Sequence, residues 1–252
     1  MLNTILHGAP TAEPPLLIAH GLYGSARNWG VIAKRLSDTR QVIAVDMRNH
    51  GDSPHLATNS YADMAADLAQ VIENHGGRAD VLGHSMGGKA AMVLALSQPQ
   101  RVHRLIVADI APVAYTHSQI EYIDAMRSLD LTRITRRSEA DAPLAAHVED
   151  AALRAFLLQS LAIGPEGAKW KLNLETLADY MPEIIGFPDV DGPFEGPTTF
   201  LSGGASDYVQ PAHHAKIRDL FPNTRFEALP GAGHWLHAEQ PRPFEDAVRN
   251  AL

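Results

Sequence analysis

Residues 81–89 read VLGHSMGGK, so that a short apolar run leads into Gly-His-Ser-Met-Gly and then into a helix-forming segment. A strand that turns directly into a helix holds Ser85 in a strained conformation, and the glycines two residues before and after it let neighbouring backbones pass closely. Such a turn places Ser85 above the sheet, with the backbone N–H of Met86 at the positive end of the following helix. The pattern predicts a nucleophile elbow that carries half of an oxyanion hole.

The residues on both sides of this motif favour the elbow over an ordinary turn. Gly-x-Ser-x-Gly alone is a weak signal, because glycine and serine are common in turns. Here residues 79–82 form an apolar run, and residues 89–96 form a good helical segment that ends before Pro99. A strand, a turn and a helix in this order are the setting that an elbow requires.

The composition limits the class of protein. The chain has 252 residues, 45% of them hydrophobic, which suits one core carrying an insertion. A net charge of −8 makes nucleic acid and anionic membrane surfaces poor partners. The chain contains no cysteine, so disulfides and cysteine-bound metals are excluded. With no basic leader and no apolar run of membrane length, we expect a cytoplasmic protein without a membrane span.

Apolar runs and helical patterns alternate along most of the chain. This alternation predicts an α/β fold, with a mostly parallel central sheet flanked by helices and right-handed crossovers. In such sheets the chemistry lies at the carboxyl ends of the strands, where His20, Ser85 and Asp109 are expected. The expected strands include residues 16–19, 41–45, 79–82, 104–108, 198–201 and 225–229, and the expected helices include residues 28–36, 61–72, 89–96, 213–221 and 243–252.

The pattern changes between residues 112 and 195, where no strong buried strand is seen. Helical segments are expected near residues 119–129, 143–162 and 174–181. Gly-Pro pairs at 192–193 and 196–197 then break the chain before the next apolar strand. We therefore predict a core of residues 1–111 and 196–252 with a helical cap inserted at 112–195.

A serine nucleophile needs a base within hydrogen-bond reach and an acid that orients the base. Of thirteen histidines, His234 has the best context, because it lies in a Gly-rich loop just after the last expected strand. His237, three residues later, is expected to pack structurally. We therefore predict that His234 is the base.

Two aspartates can complete the triad in the chain order Ser, Asp, His. Asp207 lies after the strand that follows the insertion, which is the usual place for the acid. However, the usual spacing selects Asp207 only when counted from Gly204, and it selects Ser206 when counted from Gly203. Asp109 ends the strand after the elbow helix, although an aspartate there can also cap the following turn. We favour Asp109 and keep Asp207 as the alternative.

With these residues assembled, the chain resembles the α/β-hydrolase superfamily over nearly its whole length. It is most similar to the YbfF-type esterases and the alpha/beta-hydrolase domain-containing protein 11 family. The similar stretches are DMRNHGDS at 46–53, GHSMGGK at 83–89, DIAPV at 109–113 and GAGHW at 231–235. The resemblance implies an esterase with a small helical cap, no cofactor, and small-molecule esters or thioesters as substrates. It also implies a serine at position 206, which leaves the acid undecided.

The resemblance also bears on the rest of the site. In α/β-hydrolases a His-Gly turn such as that at 20–21 supplies the second oxyanion donor, which we assign to the Leu22 backbone N–H, with Tyr23 as the neighbouring possibility. Aromatic residues could line a substrate pocket, although ordinary packing explains many of them equally well. The candidate substrate-binding residues are Tyr23, His84, Tyr115, Trp170 and Trp235, together with Phe156, Tyr180 and Met181.

These observations predict a serine esterase that acts on small to medium acyl groups through an acyl-enzyme. Three alternatives stay open at this point. The same triad could cleave a carbon–carbon bond or act as a perhydrolase, and the fold could serve as a non-catalytic ligand-binding protein. A metallohydrolase is suggested only by the histidine count, and since no pair has a convincing ligand spacing we expect no metal.

Overall fold

A seven-stranded sheet forms the centre of the molecule, and the computed structural model describes residues 1–252. A separate two-stranded hairpin lies between the fifth and sixth strands of this sheet in chain order. The strands are β1 (Thr4–His7), β2 (Leu16–Ala19), β3 (Val42–Val45), β4 (Ala79–His84), β5 (Val102–Ala108), β6 (Leu161–Gly164), β7 (Gly167–Trp170), β8 (Thr198–Gly203) and β9 (Thr224–Leu229).

Helices follow most of the strands and fill the connection between β5 and β8. They are α1 (Gly30–Leu36), α2 (Tyr61–Asn74), α3 (Met86–Ser97), α4 (Ile120–Arg127), α5 (Asp141–Ala145), α6 (Ala151–Leu158), α7 (Leu174–Asp179), α8 (Met181–Ile185), α9 (His214–Leu220), α10 (Leu236–Glu239) and α11 (Pro241–Ala251). None of these helices is both long enough and apolar enough to span a membrane.

The strands are ordered β1-β3-β2-β4-β5-β8-β9 across the sheet. Strand β1 is antiparallel to β3, and every other neighbouring pair is parallel. The predicted mostly parallel sheet is therefore confirmed. Parallel pairing brings the carboxyl ends of β2, β4, β5 and β8 to one edge, which is where the elbow and the candidate acids lie.

The sheet separates two apolar layers because side chains alternate along each strand. Leu17 and Val81 face the layer formed with α2 and α3, whereas Ile18 and Leu82 face the layer formed with α1 and α11. All four residues of β2 and of β3 are buried, as expected for strands covered on both faces. The continuous apolar runs of the sequence follow from this double burial.

Helix α2 shows how local sequence sets an element. The hydroxyl of Ser60 caps it by accepting a hydrogen bond from the Asp63 N–H. Met64, Leu68 and Ile72 then fall on one buried face at helical spacing. The observed helix extends two residues beyond the predicted end, to Asn74, and is followed by glycines with positive φ at 76 and 77.

The connection from residue 112 to 195, called here the insertion segment, lies against the carboxyl ends of the strands. The Tyr61 hydroxyl donates to Ile184 O at 2.7 Å, and the Ser160 hydroxyl donates to Tyr23 O at 3.0 Å. Helices α4 to α8 all belong to this segment. The exact domain boundaries at 111/112 and 195/196 stay a prediction.

The predicted helix over residues 143–162 is wrong. The carboxylate of Asp150 caps a new helix by accepting from the N–H groups of Ala152 and Leu153, so α5 and α6 are separate. The chain then forms the antiparallel hairpin of β6 and β7 around the turn at residues 165–166. Apolar spacing missed this hairpin because β6 is only four residues long and only its first residue is buried.

Candidate active site

Ser85 lies between the last residue of β4 and the first residue of α3. Its φ of 52° and ψ of −121° are unusual for a residue with a side chain. Such strained conformations occur where the surrounding structure holds them for a functional purpose. The backbone therefore has the form that a nucleophile elbow requires.

The two flanking glycines are needed for different contacts. A methyl group on Gly83 would lie 2.3 Å from the Gly87 carbonyl oxygen, inside the elbow itself. A methyl group on Gly87 would lie 2.4 Å from the Ala19 carbonyl oxygen at the end of β2. Neither position can hold a side chain without displacing backbone, so both glycines bring α3 close to the sheet.

Two backbone N–H groups near Ser85 have no acceptor within the chain. Met86 is the first residue of α3, where an N–H has no intrahelical partner, and the Leu22 N–H in the loop after β2 is also without a partner. The Tyr23 N–H, by contrast, donates to His50 Nε2 at 3.2 Å. A methyl group on Gly21 would lie 3.1 Å from Ser85 Cβ, so this loop passes beside the serine. Of the two loop candidates, Leu22 has the available donor.

His234 lies in the loop after β9, and its Nδ1 is 2.8 Å from Asp109 Oδ2. The His234 carbonyl accepts from His84 Nε2 at 2.9 Å, which ties this loop to the end of β4. The ring of Tyr208 stacks on the imidazole at a centroid distance of 4.1 Å. His234 and Ser85 line the same cavity, so the structure brings the predicted base and nucleophile together.

Asp109 is completely buried at the end of β5 and has a positive φ of 51°. Its Oδ1 accepts the Gly203 N–H at 2.9 Å, and its Oδ2 accepts from the Ser206 hydroxyl and from His234. A buried carboxylate requires such donors, and this one has three. Two of the three donors come from the end of β8 and the loop that follows it.

Asp207 is exposed and makes no contact with the His234 ring nitrogens. It lines a surface depression that Ser206, Tyr208 and His234 also line. The structure supports the count from Gly203, which selects Ser206 rather than Asp207. The Gly203 N–H donates to the Asp109 carboxylate, and the Ser206 hydroxyl donates to the same carboxylate. The structure thus brings Asp109, and not Asp207, to the imidazole.

The histidines around His234 are neutral. Burial lowers the pKa of His84 well below its usual value, and it lowers the pKa of His237 to about 3. His237 stacks on Trp29 at a centroid distance of 4.2 Å. Since neither neighbour carries a proton charge at neutral pH, neither opposes the formation of an imidazolium at His234.

A second pair of histidines holds the loop after β2. Burial lowers the pKa of His20, and it lowers the pKa of His50 to about 3. The Met47 N–H donates to His20 Nε2 at 2.9 Å, so His20 Nδ1 carries the proton and donates to Gly21 O. The two neutral imidazoles therefore hold, through hydrogen bonds, the backbone that carries the Leu22 N–H.

Two cavities meet at Ser85. The larger, called here the outer cavity, has a volume of about 360 Å³ and is lined by Ser85 and His234. The predicted substrate residues Tyr23, His84 and Trp235 also line it. The smaller, called here the inner cavity, has a volume of about 30 Å³. No three His, Asp or Glu side chains are arranged as metal ligands.

Two predicted substrate residues lie elsewhere. Tyr115 lines the inner cavity, where its hydroxyl donates to Tyr208 O at 2.7 Å. Trp170 lines neither cavity, so the structure does not bring it to the site. Its indole N–H donates to Met126 O at 3.1 Å, and the ring is used to attach the hairpin to α4.

Sequence reasoning missed two residues at the site, Tyr208 and Lys89, and it marked Ser206 only by its spacing from Gly203 and by the resemblance. Lys89 is buried, with 1% of its surface exposed, and burial lowers its pKa to about 7. Its ammonium donates to the carbonyls of Ile185 and Gly186 in the insertion segment. A single lysine in a helix that is otherwise apolar on all sides was the signal, because such a charge requires buried acceptors. No comparable signal marked Tyr208.

The fold and this site together define a serine hydrolase of the α/β type. A family profile described as alpha/beta hydrolase fold matches residues 14–241, and the chain belongs to this family. The chain is 44% identical over 248 residues to the sn-1-specific diacylglycerol lipase ABHD11 of Mus musculus, covering 95% of this chain and 81% of that protein.

Two further relatives extend the comparison. Esterase YbfF of Escherichia coli (strain K12) is 35% identical over 240 residues, covering 94% of this chain and 92% of that protein. A solved structure described as a marine microorganism esterase superposes with a TM-score of 0.95 at 37% identity, covering 100% of this chain and 99% of the other. The predicted resemblance is confirmed, and the protein is a serine-type carboxylic ester hydrolase.

Proposed function

We propose that Ser85 is the nucleophile, His234 the general base and acid, and Asp109 the carboxylate that orients His234. The observation that carries this assignment is the 2.8 Å contact between His234 Nδ1 and Asp109 Oδ2, in a cavity that Ser85 also lines. With Nδ1–H donated to Asp109, Nε2 is left unprotonated and able to accept a proton from the serine.

The acylation step follows from these positions. Ser85 Oγ attacks the ester carbonyl carbon while His234 Nε2 takes the hydroxyl proton. The carbonyl oxygen becomes an oxyanion, which the N–H groups of Leu22 and Met86 bind. The carbon–oxygen bond to the alcohol then breaks, His234 returns its proton to the leaving oxygen, and the acyl group stays on Ser85.

Deacylation repeats these steps with water as the nucleophile. His234 Nε2 takes a proton from the water, whose oxygen attacks the acyl carbon, and the collapse of the second oxyanion returns that proton to Ser85 Oγ. The neutral state of His84 and His237 supports this cycle, because no neighbouring positive charge competes with the transient imidazolium.

The residues that line the outer cavity favour uncharged substrates. No lysine or arginine lines it, and Glu121 is the only carboxylate among its lining residues. An anionic group would therefore meet a negative charge without a compensating cation. We propose uncharged carboxylic esters of small to medium acyl groups as the main substrates, with thioesters as a second substrate class of the same chemistry. We also propose a cytoplasmic location, which cell fractionation would test.

Nitrophenyl ester hydrolysis by four proteins tests the triad. Ser85→Ala is expected to lower kcat by at least about 10³-fold, because it removes the nucleophile. Asp109→Asn is expected to lower kcat by about 10⁴-fold, because an amide cannot hold His234 in the required tautomer. Asp207→Asn is the matched control, with the same chemical change at an exposed side chain, and is expected to stay within about twofold.

Circular dichroism should show that each variant is folded. Retention of full activity by Ser85→Ala would refute the proposed nucleophile. A larger loss for Asp207→Asn than for Asp109→Asn would transfer the orienting role to Asp207.

A further inference from the structure

The outer and inner cavities share Ser85 but differ in the catalytic groups that line them. His234 lines the outer cavity and not the inner one, whereas Met86 lines the inner cavity and not the outer one. Leu22 borders both. The two spaces therefore adjoin at Ser85, with the His234 imidazole on the side of the outer cavity and Met86 on the side of the inner cavity.

This difference determines which half of an ester occupies which cavity. The tetrahedral carbon carries Ser85 Oγ, the oxyanion, the leaving oxygen and the acyl chain. The leaving oxygen must lie beside His234, from which it takes its proton, so the alcohol extends into the outer cavity. The oxyanion faces the N–H groups of Leu22 and Met86. The remaining substituent, the acyl chain, points away from His234 into the inner cavity.

The inner cavity is small. One water molecule needs a space of about 10–15 Å³, so a cavity of about 30 Å³ accepts about two non-hydrogen atoms. Ile110 and Ile184 make part of its wall, and both are buried. The methyl group of an acetyl ester or the ethyl group of a propionyl ester fits such a space, and longer chains do not.

The walls of the inner cavity are fixed by hydrogen bonds on several sides. The Lys89 ammonium donates to Ile185 O and Gly186 O at the end of α8. The Tyr61 hydroxyl donates to Ile184 O at 2.7 Å, and the Tyr115 hydroxyl accepts from Ala111 N–H at 2.9 Å while donating to Tyr208 O. Enlarging the space would require breaking buried hydrogen bonds, which is costly.

We propose that the enzyme selects esters with a short acyl chain, of two or three carbons, on a bulky uncharged alcohol. This inference rests on the proposed triad and adds the direction in which the substrate binds. The 360 Å³ outer cavity is in the size range of small-molecule binding sites and takes the alcohol.

Two ester series test the proposal. Nitrophenyl esters from acetate to octanoate vary the acyl chain, and acetates of ethanol, hexanol and 2-naphthol vary the alcohol. We expect kcat/KM to fall at least about tenfold between propionate and hexanoate, since each methylene that a pocket rejects costs about 10–200-fold. The naphthyl acetate should be hydrolysed at least as well as ethyl acetate.

Ile185→Ala enlarges the inner cavity at a half-buried side chain, and it keeps the carbonyl that Lys89 binds. It is expected to move the best acyl length upward by one or two carbons. Phe156→Ala is the matched control, because it truncates a half-buried side chain of the outer cavity. It should change the ranking of the alcohols and leave the ranking of acyl lengths as in the wild type.

A wild-type kcat/KM that stays level or rises from acetate to octanoate overturns the proposal. So does a folded Ile185→Ala whose acyl ranking equals that of the wild type. If Ile185→Ala does not fold, Ile185→Val makes the same comparison with a smaller change. The triad is judged separately, by whether a fluorophosphonate labels wild type but not Ser85→Ala, so failure of the acyl ranking leaves the triad standing.

Discussion

Four residues with side chains adopt positive φ, and each lies in a loop at or near the catalytic edge of the sheet. They are Tyr23, Asn49, Ser85 and Asp109. Ser85 and Asp109 immediately follow β4 and β5, where the strained turn aims the side chain across the edge. Strain of this kind costs about 1–3 kcal/mol per residue and persists only where the surroundings hold it. Here the surroundings that stabilise these conformations are the close packing at the elbow glycines and the hydrogen-bond donors around the Asp109 carboxylate.

The ring of Tyr208 covers the His234 imidazole. Its carbonyl accepts from Tyr115, and its hydroxyl lies 2.8 Å from His117 Nε2. An aromatic face beside an imidazolium contributes about 0.5–2 kcal/mol. The ring is therefore placed both to orient His234 and to stabilise its charged form.

Substituting Tyr208 should separate the ring from the hydroxyl. Tyr208→Leu is expected to lower kcat by about 3–30-fold, because the stacking face is lost. Tyr208→Phe retains the face and is expected to stay within about threefold of wild type. Steady-state kinetics on a nitrophenyl ester measures both, and equal kcat for the leucine and wild-type proteins would show that stacking has no role.

At the scale of elements, the elbow helix is positioned by contact with the sheet. Helix α3 is buried along almost its whole length, and Gly87 lets its first turn approach the end of β2. The approach is what brings Met86 N–H and the Leu22 loop to the same point. Gly87 is therefore required because the two elements approach each other closely at this position. Its φ is not positive, so its backbone conformation does not require a glycine.

Two glycine substitutions compare a glycine that is required by close packing with one that is not. Gly87→Ala forces a methyl group against the Ala19 carbonyl and is expected to destabilise the fold by about 1–3 kcal/mol, with a large loss of kcat. Gly30→Ala, at the start of α1, places a methyl group where no atom lies within 4 Å, on a helical backbone. It is expected to stabilise the fold by about 0.4–1 kcal/mol.

Urea unfolding of both variants measures the two free energies of unfolding. Unchanged stability of Gly87→Ala would mean that β2 and α3 can separate without cost. That result would contradict the role given to this close approach.

At the scale of the whole molecule, neutral buried histidines connect the loops above the sheet. Burial lowers the pKa values of His20, His50, His84 and His237 from 6.5. The unfolded chain therefore binds more protons than the folded chain between pH 6.5 and the lower folded-state values. Stability rises with pH in that window, is fully present above pH 6.5, and is lost as the solution becomes more acidic.

Acid unfolding should show this linkage. Each buried histidine contributes a slope of up to about 1.4 kcal/mol per pH unit to the free energy of unfolding. His237→Phe keeps an aromatic ring on Trp29 and removes a buried Nδ1 that has no hydrogen-bond partner. We expect its free energy of unfolding to fall less steeply than that of wild type between pH 6.5 and pH 5.

Urea titrations at pH 7, 6 and 5 provide the comparison. His55→Gln serves as the control, because His55 is exposed, and its slope should equal that of wild type. A slope for His237→Phe that matches wild type would show that His237 already carries a proton in the folded protein.

The sequence alone predicts features that depend on the local backbone or on a contiguous pattern of residues. The elbow at Ser85 was predicted because Gly-x-Ser-x-Gly between a strand and a helix allows few backbone solutions. The sheet strands were readable because double burial makes continuous apolar runs. The position of His234 followed from a Gly-rich loop after the last strand.

Which side chains from distant segments meet depends on how the chain packs in three dimensions. Asp109 and Asp207 both satisfied the chain order, and the parallel pairing of β5 with β8 brings Ser206, rather than Asp207, to the Asp109 carboxylate. The hairpin of β6 and β7 and the position of Trp170 were likewise invisible, because short half-exposed strands leave little pattern. The size of the inner cavity depends on α3 and α8 meeting at Lys89, and no local pattern encodes a distance between two helices.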